Sequence, residues 1–372
     1  MRRVLQRLSG TLRRLAPPPR VVDWSILTAV AGAIGTGLLS WMGWLPPSFA
    51  VLLHDVFGLT LAGLLPFKFA RVARRVTDRT NWDATTPLSV LLGVVVVAAL
   101  VLGVFWRIGG NVPLGPWTTL NAHIGLGLLA IPLLLLHLRA RFRLPNRTDA
   151  SRRSALRTGG LLVAGVLAWR VTELVAAVRG VATRETGSKP IGDLADTETE
   201  GGSFPVTSWV ADDPAPIDRE SWRLSVSGLG TEDLELAYDD LPTGDNRAVQ
   251  TGTLDCTSGW YTVQKWGGIR VGDLLAEAGV GMDAAEAAAD GLWVRFVSVT
   301  GYRWSLPLAE ARDALLATHV GGRALSHGHG APARLVAPGR RGFQWVKWVE
   351  RVELRRDPDP AQWVVTLVSG FE

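Results

Sequence analysis

The sequence contains a single cysteine, Cys256, among its 372 residues. A disulfide within the chain is therefore excluded, and so is a zinc site built on several cysteine ligands. A lone cysteine is usually a small buried apolar residue, so Cys256 by itself predicts no chemistry. The sequence also lacks the motifs of common hydrolases, P-loop nucleotide-binding proteins and dinucleotide-binding proteins, which removes those classes from consideration.

Lysine is scarce as well, and positive charge is carried mainly by arginine. The four lysines are Lys68, Lys189, Lys265 and Lys347, and the formal net charge is +5. The arginines cluster in short loops between apolar runs, and no basic patch is interleaved with aromatic residues. This pattern argues against nucleic-acid binding and is typical of the loops that set membrane topology.

Five long apolar runs occupy the first half of the chain. Each has about the 20 residues that a helix needs to cross a hydrocarbon layer of about 30 Å. The fifth is interrupted by Arg170 and Glu173, whose spacing predicts an ion pair, with a role in quinone or proton chemistry as the alternative. The runs are Trp24–Trp44, Val51–Ala70, Pro87–Phe105, Leu120–Leu138 and Gly159–Val178.

The distribution of arginine predicts the orientation of these helices. Arginines are concentrated in the N-terminal tail and in the second-to-third and fourth-to-fifth connections. Because positive loops stay in the cytoplasm, the N-terminus is predicted inside and the chain after about residue 180 outside. The stretch 151–157, with Arg152 and Arg153 before a modestly apolar segment, resembles a twin-arginine export signal. A plain stop-transfer flank is the alternative.

The second and fourth runs form an internal repeat with an offset of 69 residues, in which His54 matches His123 and Gly58 matches Gly127. The repeat predicts a duplicated two-helix hairpin, and hence a four-helix bundle. Histidine within a membrane is costly and usually functional. His54 and His123 lie near the same predicted ends of their helices, so they can form one pair of imidazole ligands for a haem iron.

The repeat is incomplete at the other end of the bundle. His137 follows His123 by 14 residues, which is about four helical turns or roughly 21 Å. Its equivalent in the first copy is Lys68. The bundle resembles the cytochrome b561-like family with its second haem site lost, which implies one haem b between His54 and His123. Two haems, or none with the histidines in the headgroup layer, are the alternatives.

The second half of the chain resembles an ordinary soluble domain. Polar residues 181–205 predict a linker, and strands and helices then alternate irregularly, which indicates an α+β fold. The predicted organisation is a tail at 1–20, a five-helix membrane domain at 21–180, the linker, and an α+β domain at 206–372. Strands are predicted at Trp222–Gly228, Arg247–Leu254, Leu292–Thr300, Ala333–Val336 and Trp345–Leu354, and helices at Val271–Ala278, Ala284–Ala289 and Leu308–Leu316.

Four blocks in this half are similar to the molybdopterin-binding domain of the sulfite oxidase family, in both order and spacing. The most specific block is the last, because many positions match in one run. The blocks are Trp222–Gly228, Thr253–Trp260 with Trp266-Gly267-Gly268, Gly301–Leu308, and His329–Val336 with Pro338-Gly339, Gly342 and Val346–Trp348. The resemblance implies a molybdenum-cofactor oxidoreductase domain fused to the membrane bundle.

The resemblance assigns roles to individual residues. Cys256 takes the position of the family's molybdenum ligand, and a soft thiolate is the kind of ligand such a metal accepts from a protein. His329, Arg334 and Lys347 fall on positions that contact the cofactor, whose phosphate needs cations. For His329, a small metal site shared with His327 is the alternative.

The substrate pocket departs from the family. There the metal-binding cysteine precedes a small residue, asparagine and arginine, whereas Cys256 is followed by Thr257-Ser258-Gly259-Trp260. This difference puts sulfite in doubt as the substrate. Arg247, Tyr302 and Arg303 are candidate catalytic or pocket residues. In outline the chain is similar to the periplasmic methionine-sulfoxide reductase type, which works with a separate haem-containing membrane protein.

The sequence therefore predicts a membrane-anchored molybdenum enzyme that transfers an oxygen atom to or from a small S-oxide, N-oxide or oxyanion outside the cytoplasmic membrane. Electrons are expected to pass through the membrane domain, with quinol or quinone as the membrane partner. One alternative is a haem-free anchored enzyme with a diffusible redox partner. Another is a binding module whose cofactor site has decayed.

Overall fold

The computed structural model of the protein describes residues 17–114, 117–144, 151–191, 204–208, 212–242, 244–280 and 291–369. The chain divides into two compact units, Met1–Lys189 and Pro190–Glu372. The first contains the apolar helices and the second contains the mixed α and β elements.

The first unit contains the five predicted helices, each somewhat longer than its apolar run. All five are long and apolar enough to cross a membrane, as judged by length and composition. A proline stands in the first turn of the first three, where its missing N–H breaks no intrahelical bond. The helices are α1 (Pro19–Met42), α2 (Pro47–Thr77), α3 (Thr86–Gly109), α4 (Thr119–Arg141) and α5 (Arg152–Val178), and the two-residue strands β1 (Pro113–Leu114) and β2 (Trp117–Thr118) pair between α3 and α4.

Sequence neighbours in this unit pack as two hairpins, α1 with α2 and α3 with α4, as the repeat predicts. Buried aliphatic side chains of α1 and α2, among them Val30 and Leu64, form the largest apolar contact described in this unit. Helix α5 packs mainly on α2. A Cβ atom on Gly165 would overlap Thr60, so the glycine allows the two helix backbones to approach closely.

Charged side chains of three helices meet in this unit. The predicted pair between Arg170 and Glu173 forms, with 3.1 Å between Arg170 Nη1 and Glu173 Oε2. Arg107 of α3 lies 3.4 Å from the other Glu173 oxygen and 3.2 Å from Asp55 Oδ2 of α2. Arg107 therefore neutralises carboxylates from two different helices, which is how charges inside an apolar bundle are tolerated.

The second unit is built on two sheets, which follow a two-residue strand, β3 (Lys189–Pro190), at the unit boundary. In the first sheet, β7 lies between β6 and β10, and β10 also pairs with β11 and β12. The second sheet has the order β5-β4-β13-β8-β9, and only the β4–β13 pair is parallel. The strands are β4 (Arg223–Gly228), β5 (Leu234–Ala237), β6 (Ala248–Asp255), β7 (Trp260–Arg270), β8 (Trp293–Ser298), β9 (Arg303–Pro307), β10 (Leu315–Val320), β11 (Arg323–Ala324), β12 (Arg334–Val336) and β13 (Val349–Arg355).

Short helices complete the second unit: α6 (Val271–Glu277), α7 (Leu308–Ala311) and α8 (Gln362–Val368). Buried side chains from both sheets and from α6 and α7 join in one apolar core. Trp260, Trp266 and Trp345 are among its largest buried members. The predicted α+β class of this domain is thus confirmed.

Several element predictions in this unit need correction. The helix predicted at Leu308–Leu316 ends at Ala311, and Leu315 begins β10. Because most of β10 is buried, its apolar run lacks the alternation that distinguishes a strand from a helix. The strand predicted from Trp345 begins only at Val349, after Trp348 adopts a positive φ of 51°. The helix predicted at Ala284–Ala289 lies outside the described residues.

Candidate cofactor site

Cys256 sits at the turn that joins β6 to β7. The Cys256 N–H donates to Trp260 O at 2.8 Å, and the Gly259 N–H donates to Cys256 O at 3.1 Å. Gly259 has a φ of 87°, a backbone conformation that favours glycine. A Cβ on Gly342 would lie 3.3 Å from Cys256 Cα, so the chain at Gly342 passes close to the main chain of the cysteine. The turn and this neighbour together hold the thiol in one place.

The Cys256 thiol is buried, with 7% of the residue exposed, and it has polar neighbours. Its Sγ atom lies 3.3 Å from Thr207 Oγ1 and accepts from the Ser258 N–H at 3.4 Å. On the other side of the turn, Arg341 lies 3.2 Å from the Asp255 carboxylate. Two potential donors therefore point at the sulfur, which suits a thiolate better than a purely apolar core cysteine.

Arg334 is a buried cation held among aromatic rings. Its Nη1 donates to His329 O at 3.0 Å, and its guanidinium lies over the rings of Trp266 and Trp345 at 5.6 and 6.0 Å. Burial lowers the pKa of Arg334 to about 10, while Cys256 acts in the opposite direction. The guanidinium is thus charged at neutral pH in a site that disfavours charge, and an anionic ligand would compensate for it.

Lys347 is the second buried cation of the site. Its Nζ donates to Ser208 Oγ at 2.7 Å and to Gly328 O at 2.8 Å. Burial, followed by repulsion from Arg334, lowers the pKa of Lys347 to about 7, and the negative charge of Asp212 partly offsets this. Burial also raises the pKa of Asp212, which accepts a hydrogen bond from Thr300 Oγ1. The charge of Lys347 consequently depends on pH in the neutral range.

His329 is also buried, and its ring is fixed at both nitrogens. Nε2 donates to Phe204 O at 2.9 Å, and Nδ1 lies 2.8 Å from Ser326 Oγ. The His327 Nε2 atom points to Pro214 O at 2.8 Å. Among the residues that the structure describes, no group of three or more His, Cys, Asp or Glu side chains could hold a metal ion. The alternative of a metal site shared by His327 and His329 therefore finds no support.

The three candidate pocket residues lie in different surroundings. Tyr302 is buried and its hydroxyl donates to Phe343 O, and burial, followed by the charge of Asp212, raises its pKa. Arg303 is engaged in an ion pair with Asp359. Arg247 is at the opposite end of β6 from Cys256, and eight extended residues span about 26 Å. The charge of Asp212 thus acts on both Tyr302 and Lys347. Arg247, in contrast, is separated from the thiol by the length of β6.

Sequence reasoning missed two polar side chains of this site, Thr207 and Asp212. Thr207 lies just after the predicted linker, and Asp212 is followed directly by the exposed Asp213. Neither belongs to a motif, and each reaches the site through contacts with residues far away in sequence, Cys256 and Thr300. No local signal in the sequence could have identified them.

A second pair of candidate ligands lies in the helical unit. The ring centroids of His54 and His123 are 5.8 Å apart. Two imidazoles that bind one metal at about 2 Å per nitrogen hold their centroids roughly 6 Å apart. His54 Nδ1 donates to Ala33 O and His123 Nδ1 donates to Ala99 O, each at 2.8 Å, so both Nε2 atoms are left for a ligand.

Comparison with known proteins assigns the second unit to a class. Residues 211–363 match the family model described as the oxidoreductase molybdopterin-binding domain. Human mitochondrial sulfite oxidase is 32% identical over 184 residues, which cover 42% of this chain and 34% of that protein. The uncharacterised oxidoreductase YuiH of Bacillus subtilis (strain 168) is 29% identical over 164 residues, covering 43% of this chain and 78% of the relative. The chain thus spans about a third of the length of the human and rat sulfite oxidases that it matches.

A solved structure is similar over the same part of the chain. The sulfane dehydrogenase SoxCD of Paracoccus pantotrophus is 28% identical, with a TM-score of 0.34 over 39% of this chain and 40% of that one. From the family model and the curated relatives together, the second unit is a molybdopterin-binding oxidoreductase domain. This part of the chain is similar to sulfite oxidases, as the sequence blocks predicted.

The residues present fit a molybdopterin cofactor. The soft ligand is a buried thiol, and two buried cations are available for an anionic group. Among the buried nitrogen atoms that have no hydrogen-bond partner within the described ranges are Nε of Arg334, Nε of Arg341 and Nε1 of Trp260. Buried donors without partners are costly, and a polar ligand in this region would satisfy them. Cys256 would bind the metal, and Arg334 and Lys347 would hold the negative part of the cofactor.

Proposed function

We propose that the protein is a membrane-anchored molybdenum-cofactor oxidoreductase that transfers an oxygen atom to or from a small S-oxide, N-oxide or oxyanion. The observation that carries this proposal is the buried Cys256 thiol, which lies in electrostatic reach of Arg334 and Lys347 inside a domain of the sulfite oxidase family. When bound, molybdenum supplies the centre at which an oxygen atom and two electrons are exchanged.

The protein's own residues bind and orient this cofactor. Cys256 supplies the thiolate, and its turn fixes the direction of the sulfur. Arg334 and Lys347 supply positive charge from a buried position, where a charge-assisted hydrogen bond is strong. The tryptophans Trp266 and Trp345 flank Arg334 and keep water away from it. Tyr302 stays a candidate pocket residue, although its hydroxyl donates to Phe343 O.

The five helices anchor this domain in the membrane and exchange electrons with quinol or quinone. Arginine-rich loops support a cytoplasmic N-terminus and a catalytic domain on the outer side. The twin-arginine resemblance at 151–157 supports export of a domain that has already folded around its cofactor. These assignments depend on hydropathy and charge distribution, and a protease-protection assay on sealed vesicles tests them.

A haem b between His54 and His123 is the proposed electron carrier of the helical unit. The support is the ring separation of 5.8 Å together with the two Nδ1 hydrogen bonds, which orient both Nε2 atoms for a ligand. When bound, the haem supplies a one-electron relay. His137 is engaged differently, because its Nδ1 lies 3.0 Å from Ser89 Oγ and Lys68 pairs with Asp23 at 2.6 Å. One haem is therefore proposed and not two.

The proposal is tested on the detergent-purified full chain, expressed with the cofactor pathway intact. We expect about one molybdenum per chain by elemental analysis and a Mo(V) signal by electron paramagnetic resonance. Cys256→Ser should lose the signal of the native centre, whereas the neighbouring Thr257→Ala should keep it. Wild-type protein without molybdenum, or an unchanged signal in Cys256→Ser, would refute the proposed function.

Two other functions differ from this one in measurable ways. A haem-free anchored molybdenum enzyme with a diffusible redox partner would contain molybdenum but show no haem absorption. A binding module with a decayed cofactor site would contain neither group. Retention of Cys256, Arg334 and Lys347 together favours a working cofactor site over the decayed one.

A further inference from the structure

A short segment, Phe204–Ser208, runs along the candidate cofactor residues. The Phe204 carbonyl accepts a hydrogen bond from His329 Nε2 at 2.9 Å, and the centroids of the phenyl and imidazole rings are 4.1 Å apart. Ser208 Oγ accepts from Lys347 Nζ at 2.7 Å. Both ends of the segment are thus fixed by residues that we assign to the cofactor.

The middle of this segment is fixed as well. A Cβ on Gly328 would lie 2.8 Å from Val206 Cγ2, so Val206 packs directly on the main chain at that glycine. Thr207 lies between Val206, which contacts Gly328, and Ser208, which accepts from Lys347. Its hydroxyl lies 3.3 Å from the sulfur of Cys256.

The direction of this hydrogen bond depends on the state of the sulfur. With a free thiol, either the Thr207 hydroxyl or the Cys256 thiol can donate. A thiol that coordinates a metal is deprotonated, so it can only accept. In the metal-bound protein the Thr207 hydroxyl must therefore donate to Sγ, alongside the Ser258 N–H at 3.4 Å.

We propose that Thr207 is a positioning residue for the molybdenum ligand, whose hydroxyl donates to the Cys256 thiolate and raises the reduction potential of the centre. This inference rests on the proposed function. Hydrogen bonds to a ligand sulfur withdraw negative charge from it, and the sulfur then donates less to the metal. The electron-rich reduced state is favoured as a result.

The test compares two substitutions in the full-length, cofactor-loaded protein. Thr207→Val keeps the shape of the side chain but removes the hydroxyl, and Thr207→Ser keeps the hydroxyl. Molybdenum content is measured first, and the reduction potential is then measured by a redox titration followed through the Mo(V) signal. We expect Thr207→Val to contain wild-type molybdenum and to show a more negative potential, and Thr207→Ser to match the wild type.

Three results overturn the inference. A loaded Thr207→Val protein with the wild-type potential shows that the hydroxyl does not act on the sulfur. An equal shift in Thr207→Val and Thr207→Ser shows that packing is the cause. Wild-type protein without molybdenum refutes the proposed function, and this inference falls with it. If the valine variant does not accumulate, Thr207→Ala is the second hydroxyl-free variant, with the same expected shift.

Discussion

The imidazole rings of His54 and His123 face each other with centroids 5.8 Å apart and planes nearly perpendicular, at 87°. The two hairpins hold them in the same way. Each Nδ1 donates to a carbonyl of the preceding helix, Ala33 O for His54 and Ala99 O for His123. Hydrogen bonds at Nδ1 set the tautomer that leaves Nε2 free to bind a metal. Each Nε2 atom could therefore take part in holding a metal between the two rings.

The first prediction concerns this pair. Purified wild-type protein should show a haem Soret band that sharpens and shifts on dithionite reduction, and His123→Ala should lose it. The physical reason is that His54 alone leaves the iron without its second imidazole. His137→Ala is the matched control, because His137 bonds to Ser89 and not to the paired imidazoles.

Three outcomes would contradict this assignment. An intact Soret band in His123→Ala would place the haem elsewhere. Wild-type protein that contains molybdenum but no haem absorption would favour the haem-free alternative, in which the helices serve as an anchor. Loss of the band in His137→Ala but not in His123→Ala would move the site to the other end of the bundle.

The helical half was largely predictable, because a membrane-spanning helix is defined by the length of one apolar run. The offset of 69 residues placed His54 and His123 at the same level. The sequence could not predict the acceptors at Ala33 and Ala99. Main-chain carbonyls carry no side-chain signal, and which carbonyl faces a histidine depends on how two helices pack.

The second unit was predictable where the matching sequence blocks contain many residues close together. The block that contains His329, Arg334 and Lys347 is compact in sequence, and its two cations lie within electrostatic range of Cys256 in the fold. Thr207 and Asp212 were not predictable, because a single hydroxyl or carboxylate that reaches the site from a loop has no periodicity. The predicted helix Leu308–Leu316 ran over the first two residues of β10, because burial of most of this strand removes the alternation that would have marked it.

The second prediction concerns pH. Lys347 binds an anion only when protonated, and burial lowers its pKa to about 7. The stabilising charge is therefore present below this pKa and is lost as the pH rises through it. Each further pH unit should weaken retention of the anionic cofactor by up to about tenfold. Molybdenum and pterin content after dialysis between pH 6 and 9 measures this loss.

Substitutions separate this effect from general instability. Lys347→Arg keeps its charge over the whole range, so its retention should not depend on pH between 6 and 9. Asp212→Asn should shift the onset of loss to lower pH, because the carboxylate of Asp212 raises the pKa of Lys347. Asp213→Asn, which changes the exposed residue next to Asp212, should shift the onset of cofactor loss less. If Lys347→Arg begins to lose molybdenum at the same pH as the wild type, a group other than Lys347 titrates.

The third prediction concerns Arg303, a candidate pocket residue that the structure pairs with Asp359. Arg303→Met should lower the free energy of unfolding by about 1 kcal/mol, since the side chain is partly exposed and the pair is screened. Molybdenum content and the Mo(V) signal should stay unchanged. Arg340→Met, which breaks a pair with Glu310, is the control. A changed Mo(V) signal with normal stability would instead place Arg303 at the metal.

The fourth prediction tests the packing of the strand that follows the Cys256 turn. Gly268 lies in β7 between Ala248 of β6 and Ala317 of β10, so its backbone is paired on both sides. A Cβ there would overlap the carbonyl oxygen of Leu316, and a strand paired on both sides cannot move away. Gly268→Ala should therefore destabilise the second unit by about 3 kcal/mol.

The adjacent glycine provides the control for this substitution. A Cβ on Gly267 would meet its nearest neighbour, His319 Cβ, at 3.6 Å, which is an ordinary van der Waals contact. Gly267→Ala should change stability by less than about 0.5 kcal/mol. Urea unfolding of the full chain in detergent, followed by tryptophan fluorescence, measures both variants. Because β7 carries Trp266, which packs on Arg334, Gly268→Ala should also lose molybdenum. Equal stability of the two variants would show that the strands separate at little cost.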